Sequence, residues 1–247
     1  MKQIVLASDF HLSPSRPEGI RTFVRFCREV AAGSDRFYIL GDLFNFWVGP
    51  GNLGVPGLTP ALDELRSLSD SGVELTILHG NRDFLMGSGL ARRTGAVIPG
   101  EEIAVELFGR RYLLLHGDSL CTHDLSYQRS KRFLRCGLLH LCSRVMPLSV
   151  SLWIAGRLRT ASRKSVRSKA PWEMEIADEA VVRRFEEGFD ALVCGHVHRP
   201  GTREYGFVSP GYPVHVLGAW DPGGVFGRID ADGLRLEFFP GPDPSRT

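Results

Sequence analysis

The chain lacks the pattern of a disulfide framework. Its five cysteines, Cys27, Cys121, Cys136, Cys142 and Cys194, are an odd number and include no Cys-x-x-Cys pair. They read as reduced, mostly buried cysteines of a cytosolic protein. No run of about 18 uncharged apolar residues occurs, so no membrane-spanning helix is expected. The nearest approach, 133–156, is interrupted by Arg135, Arg144 and Pro147. It reads as a pair of amphipathic helices, or as a surface that meets acyl chains. The opening MKQIVLASDF goes straight into a strand pattern, without signal-peptide anatomy. Internal repeats and low-complexity tracts are missing too.

The most informative absence is of acid. Between Asp124 and Glu173 there is no Asp or Glu, while 11 Lys and Arg residues fall in that stretch. The rest of the chain carries 19 basic and 28 acidic residues, an asymmetry that the overall net charge of +2 conceals. One segment is therefore built for an anionic partner and the remainder is not. With 43% apolar and 23% charged residues in 247, the composition is that of a soluble globular protein. It fits one large domain, 1–247, or a domain carrying an inserted subdomain.

The first half alternates apolar runs with helical patterns. Residues 3–8, 36–40 and 73–79 read as strands, and 19–32, 59–71 and 84–93 as the helices between them. This βαβ rhythm predicts an α/β fold with a mostly parallel sheet covered by helices. Residues 103–108 and 111–116 predict a hairpin turning at Gly109-Arg110. The basic stretch from about 127 to 167 reads as helical and strand-free, a helical insertion at 125–170. A helix at 171–187 leads to a strand at 191–194. Further strands follow at 214–218, 225–229 and 234–239, giving two strand layers with helices outside.

Polar groups follow five of these strands directly. They are Asp9-Phe10-His11, Gly41-Asp42-Leu43-Phe44-Asn45, Gly80-Asn81-Arg82-Asp83, His116-Gly117-Asp118 and Gly195-His196-Val197-His198. Ligands of open α/β sheets gather beyond the carboxyl ends of strands, so five such loops can converge. Carboxylate, imidazole and carboxamide together suit cations such as Mn2+, Fe2+ or Zn2+. On extended backbone, Asp9 and His11 would project to one side, as would His196 and His198. Seven ligands, Asp9, His11, Asp42, Asn81, His116, His196 and His198, are too many for one such ion. They suffice for two if Asp42 bridges, and two cations roughly 3.5–4 Å apart can clamp a phosphoryl group. Any one loop alone is more often ordinary turn chemistry, but all five in one order, each at a strand end, point to a metal site. His79, His140 and His215 lie inside apolar patterns and read as structural.

The five blocks resemble the calcineurin-like metallophosphoesterase family over the whole length of that domain. The resemblance implies a β-sandwich flanked by helices and a pair of divalent ions, commonly Mn2+. Asp9, His11, Asp42 and His198 would bind one ion, and Asp42, Asn81, His116 and His196 the other. Longer strings are more specific: 38–44, 78–85, 116–128 and 216–220 resemble the branch of the family that hydrolyses UDP-2,3-diacylglucosamine. That branch implies cleavage of the pyrophosphate to UMP and 2,3-diacylglucosamine 1-phosphate in lipid A assembly. A hydroxide shared by the two ions would attack one phosphorus, at the cytoplasmic face of the inner membrane. Asp42, Asn81, Arg82 and His116 are the catalytic candidates. The resemblance further implies substrate contacts from Asn81, Arg82, Asp124, Tyr127, Ser162, Val166, Lys169 and His196.

The residues agree on two points. Arg82 stands where many phosphoesterases place a histidine; it stays charged, cannot supply a proton, and can fork onto a phosphate. A phosphate leaving group needs no proton, so Arg82 favours an anhydride substrate. A cationic cap with apolar patches and no carboxylate suits acyl chains and anionic headgroups. Asn45, His123 and Val166 depart from the branch's usual pattern. Alternatives from the same family are nucleotide or dinucleoside-polyphosphate pyrophosphatases. A nuclease is disfavoured by the few aromatics in the basic segment, so no nucleic-acid partner is expected. A non-catalytic scaffold is disfavoured by the complete ligand set.

Overall fold

The computed structural model describes residues 3–135, 146–151, 153, 156–157, 169–206, 211–221 and 223–241. Strand β1 (Ile4–Ala7) shows how the layers arise. Alternate side chains point to opposite faces, so Val5 and Ala7 join one apolar cluster and Ile4 and Leu6 another. All four are buried, as befits a strand covered on both sides. Helix α1 (Pro17–Glu29) begins on a proline, whose missing N–H is no loss in a first turn. Its buried Ile20, Phe23, Phe26 and Cys27 recur at helical spacing and pack on the outer face of that sheet. Strand β2 (Arg36–Ile39), helix α2 (Thr59–Asp70), strand β3 (Glu74–Ile77) and helix α3 (Ser88–Thr94) repeat the unit.

Strands β4 (Glu102–Leu107) and β5 (Arg110–Leu115) form the expected hairpin. The turn, however, is Phe108-Gly109 rather than Gly109-Arg110, because Leu107 pairs with Arg110. Both turn residues are left-handed, at φ 51° and 76°, as a two-residue turn matched to strand twist requires. Helix α4 (Leu125–Leu134) follows, then helix α5 (Asp178–Glu186) and strand β6 (Ala191–Cys194). Strands β7 (Gly201–Tyr205), β8 (Tyr212–Val216), β9 (Gly224–Asp230) and β10 (Gly233–Phe239) close the described chain.

Two five-stranded sheets result, in the orders β10-β9-β1-β2-β3 and β4-β5-β6-β8-β7. The expectation of a mostly parallel sheet needs correction. Parallel pairs join β1, β2 and β3 in one sheet and β5, β6 and β8 in the other. Antiparallel strands complete each sheet, through β1–β9, β9–β10, β4–β5 and β7–β8. Ile4, Leu6, Tyr38 and Leu40 from one sheet meet Tyr112, Leu114 and Val193 from the other in a central layer. Helices α1–α3 cover one outer face and α5 covers the other. This is the expected β-sandwich flanked by helices.

Three element boundaries differ for physical reasons. The helix expected from residue 84 starts at Ser88, because Asp83 and its neighbours are drawn into contacts with the loop after β2. The helix expected over 171–187 is a 3-10 turn at Pro171–Met174 followed by α5, the break coming where Ala177 N–H donates to the Leu120 carbonyl. Strand β7 was not expected, since this edge strand is polar and mostly exposed and so shows no alternation. Of the segment 125–170, α4 is the main described element; Cys136, His140, Cys142, Ser162 and Val166 lie outside the described residues. Cys27, Cys121 and Cys194 are free and buried, and no helix among the described residues is long and apolar enough to cross a membrane.

Candidate metal centre

The loops after β1, β2, β3, β5 and β6 do converge, on strained backbone. Six non-glycine residues among those described have positive φ. One is Phe108 in the hairpin turn; the others are Asp9 at 58°, His11 at 50°, Asp42 at 50°, His196 at 67° and His198 at 52°. Asp9 and His11 thus share a side through two left-handed residues, not through the extended backbone expected. His196 and His198 repeat that correction. Each such residue costs about 1 kcal/mol or more and persists only where its surroundings fix it. The kinks around Phe10 send its ring into the core, stacked 4.4 Å from Trp220, and leave its polar neighbours outside that cluster.

Glycine permits the close approach. A Cβ on Gly80 would collide with the Asp42 carboxylate, and one on Gly195 with Ser8 and Asp9. Backbone bonds then stitch the loops together: Asp9 N–H to the Gly41 carbonyl at 3.2 Å, His11 N–H to the Asp42 carbonyl at 3.0 Å, and Gly195 N–H to the His116 carbonyl at 2.9 Å. Asp83, fully buried, had no role in the sequence reading. Its carboxylate accepts backbone N–H groups from Gly80 at 2.8 Å, Phe44 at 3.1 Å and Asp42 at 3.3 Å. Its signal was its place beside Asn81 and Arg82 in a loop that follows an apolar strand.

Two groups of donors emerge, Asp9–His11–His198 and Asp9–Asp42–His116, each within 4.8 Å. His198 Nε2 lies 3.2 Å from Asp9 Oδ1 and 3.4 Å from His11 Nε2. His11 Nδ1 is 3.6 Å from Asp42 Oδ2, and His116 Nε2 is 3.7 Å from Asp42 Oδ1. His196 donates its backbone N–H to Asp9 Oδ2 at 3.0 Å, and its ring lies 5.0 Å from that of His116. Asn81 lies against both Asp42 oxygens. Turned one way, its amide nitrogen donates to them at 2.7 and 2.9 Å; turned the other, its oxygen joins theirs as a donor to a cation.

The electrostatics suit a cation. Burial, then the Arg82 charge, pushes His11 down to about 3; burial, then the His116 charge, pushes His196 down to about 4. Both imidazoles are neutral at pH 7, with lone pairs to offer. Burial opposes charge on His116 as well, but Asp42, Asp9 and Asp118 outweigh it and raise the group to about 9. Burial works to raise Asp9 too, and is outweighed by the His198 hydrogen bond and nearby imidazole charge, which hold it well below the usual range. Asp42 is raised, by burial first. His11 Nδ1 and His116 Nε2 are buried without a hydrogen-bond partner, as atoms reserved for a ligand are. The donor set therefore fits divalent metal ions.

The candidate substrate residues divide. Arg82 is in the cluster, its Nε 3.2 Å from Asp42 Oδ2 and its Nη1 3.2 Å from Asn45 Oδ1, with a third of its side chain exposed. The Tyr127 ring lies 6.3 Å from that of His196. Asp124 is engaged elsewhere: Oδ1 accepts the Tyr127 N–H and the Ser126 hydroxyl at 3.0 Å each, capping α4, and Oδ2 pairs with Lys169 Nζ at 2.7 Å. His79 bonds the Met86 carbonyl at 3.0 Å and His215 the Thr202 hydroxyl at 2.8 Å, as structural histidines do.

The chain is similar to known proteins. The model of the calcineurin-like phosphoesterase family matches residues 2–200. A UDP-2,3-diacylglucosamine hydrolase of Ectopseudomonas mendocina is 40% identical over 239 residues, covering 94% of this chain and 96% of that one. A protein of the same name from Pseudomonas aeruginosa is 37% identical, covering 96% and 99%. Among solved structures, a dimetal phosphatase from Danio rerio shares the fold at a TM-score of 0.52 and 14% identity, with 96% and 95% coverage. The chain belongs to the calcineurin-like phosphoesterase family.

Proposed function

We propose that the chain hydrolyses the pyrophosphate bond of UDP-2,3-diacylglucosamine to UMP and 2,3-diacylglucosamine 1-phosphate, a step of lipid A biosynthesis. The observation that carries this reading is similarity to hydrolases of that substrate along nearly the whole of both chains. The convergent donors support it. Asp9, His11, Asp42 and His198 would hold one divalent cation, and Asp42, Asn81, His116 and His196 a second. When bound, two such cations, Mn2+ in this reading, supply a hydroxide at neutral pH and offset phosphoryl charge.

The chain's own residues do the rest. Neutral His11 and His196 present lone pairs, and the buried carboxylates fix the ligand geometry. Arg82, held through Nε by Asp42 and through Nη1 by Asn45, has a third of its side chain exposed and would fork onto a phosphate oxygen. The departing sugar phosphate is stable as an anion, so no acid is needed beside it. The segment 125–170 serves as a cap within one domain, 1–247. Asn81, Arg82, Asp124, Tyr127, Ser162, Val166, Lys169 and His196 would contact substrate, with Lys169 and Asp124, 2.7 Å apart, acting as a pair.

Exposed Leu125, Val150, Trp153 and Trp172 beside the basic residues of this segment support peripheral contact with the cytoplasmic face of the inner membrane. Nucleic acid is not a partner in this reading. The test is mass spectrometry of products after incubation with UDP-2,3-diacylglucosamine and Mn2+. UMP and the acylated sugar phosphate are expected. Turnover of soluble dinucleoside polyphosphates with the acylated substrate left intact would overturn the assignment.

A further inference from the structure

Helix α4 carries Tyr127 and Lys131, and Arg135 follows directly after its end, its N–H still bonded to the Lys131 carbonyl at 3.0 Å, so the three stand at i, i+4 and i+8 on one face. All three converge on Asp118, a buried carboxylate two residues beyond His116. The Tyr127 hydroxyl donates to Asp118 Oδ2, Lys131 Nζ lies 2.9 Å from the same oxygen, and Arg135 Nη2 lies 3.7 Å from it. Lys131 also pairs with Glu101 at 2.8 Å, and Arg135 contacts the same carboxylate. Arg135 Nη2 goes on to donate to the Gly80 carbonyl at 3.1 Å, the residue before Asn81. Gln128, beside Tyr127, donates to the Asp118 carbonyl at 2.9 Å.

One helix face thus grips two of the metal-site loops at once. The side chains are largely buried, 11% exposed for Lys131, 13% for Arg135 and 3% for Asp118, so the ion pairs with Asp118 are shielded from water, unlike those with the more exposed Glu101. We infer that Lys131 and Arg135 are positioning residues for the reaction: through Asp118 and the Gly80 carbonyl they set the His116 and Asn81 loops, and thereby tie the seating of the inserted segment to the metal centre. This rests on the metal-centre reading given above. Outer contacts of this kind are worth about 10–100-fold in metal affinity or activity.

The test compares Lys131→Met, Arg135→Met and Lys131→Arg with the unaltered chain. Each is assayed on UDP-2,3-diacylglucosamine and on a small aryl phosphodiester too short to touch a cap, while Mn2+ is titrated. The unaltered chain serves as the control for the underlying reading: if it needs no metal, that reading fails first. With an active control, we expect both Met variants to lose about 10–100-fold in kcat on the aryl ester, with KM little changed. Their Mn2+ midpoint should rise, and Lys131→Arg should restore most of the loss. Loss confined to the lipid substrate would overturn the inference, since these residues would then serve only the cap wall. Unchanged kinetics on both substrates would overturn it as well. Should a Met variant fail to fold, Lys131→Gln and Arg135→Lys, which retain hydrogen bonding, carry the same comparison.

Discussion

Two clusters of buried carboxylates stand beside each other, and they are satisfied differently. Around Asp118 and Asp124, side-chain cations offset the carboxylates: Lys131 and Arg135, with the Tyr127 hydroxyl, at Asp118 Oδ2, and Lys169, with the Ser126 hydroxyl and the Tyr127 N–H, at Asp124. Around Asp9 and Asp42 the carboxylates accept from the His196 N–H and from Arg82, but the imidazoles gathered about them are incomplete, with His11 Nδ1 and His116 Nε2 left without a hydrogen-bond partner. Burying polar atoms without partners is costly. Carboxylates offset by side-chain cations hold structure, whereas buried imidazole nitrogens without partners on strained backbone suit a ligand.

Predictions that separate the two clusters follow from this difference. The largest effect should come from Asp42→Ala. It should lower kcat by on the order of 1,000-fold or more, about 4 kcal/mol, with the circular dichroism spectrum unchanged. Substantial activity in that variant would deny Asp42 a shared role. Next, Asp118→Ala strands Lys131 and Arg135, and chemical denaturation should show a loss of about 3 kcal/mol. If Asp118→Ala proved harmless to stability and Asp42→Ala unfolded the chain, the comparison would be reversed.

Metal removal ranks third. Chelation should abolish turnover and lower stability by about 2.7 kcal/mol for each site held at 100 times its Kd. The pH dependence has a definite sign. Folded His116 keeps its proton up to about 9, above its ordinary value, so its contribution to the metal-free fold is present at low pH and fades as pH rises through 9. A metal must displace that proton. Mn2+ affinity measured by calorimetry should therefore rise from pH 6.5 to 9, with proton release.

Arg82→Ala comes fourth and should cost at least about tenfold more kcat/KM on the acylated pyrophosphate than on an aryl phosphate, about 1.4 kcal/mol of discrimination. Equal losses would remove Arg82 from substrate binding. Smallest, Asp124→Ala should cost about 1 kcal/mol through loss of the α4 cap, read from thermal unfolding. Because Asp124 also holds Lys169, KM for the lipid should rise alongside.

How much of this was legible in the sequence depends on how local the signal is. Strand-then-loop motifs such as Leu40-Gly41-Asp42 carry their own evidence, and all seven donors appear within the convergent loops. The short apolar run of β1, buried on both faces, was equally readable. What escaped was long-range. The antiparallel neighbours β9 and β10 arrive from the far end of the chain, and β7 has no apolar face to announce it. The left-handed backbone at Asp9 and His196 is imposed by tertiary contacts, since neither is glycine. Asp83 gave no hint that its partners would be backbone N–H groups from two loops. The capping role of Asp124 declares itself only once the helix start is fixed.

Anomalous diffraction from crystals soaked in Mn2+ tests the central claim most directly. Two peaks are predicted, one bounded by Asp9, His11 and His198, the other by Asn81, His116 and His196, with Asp42 touching both. A single peak, or peaks away from these side chains, would contradict the account.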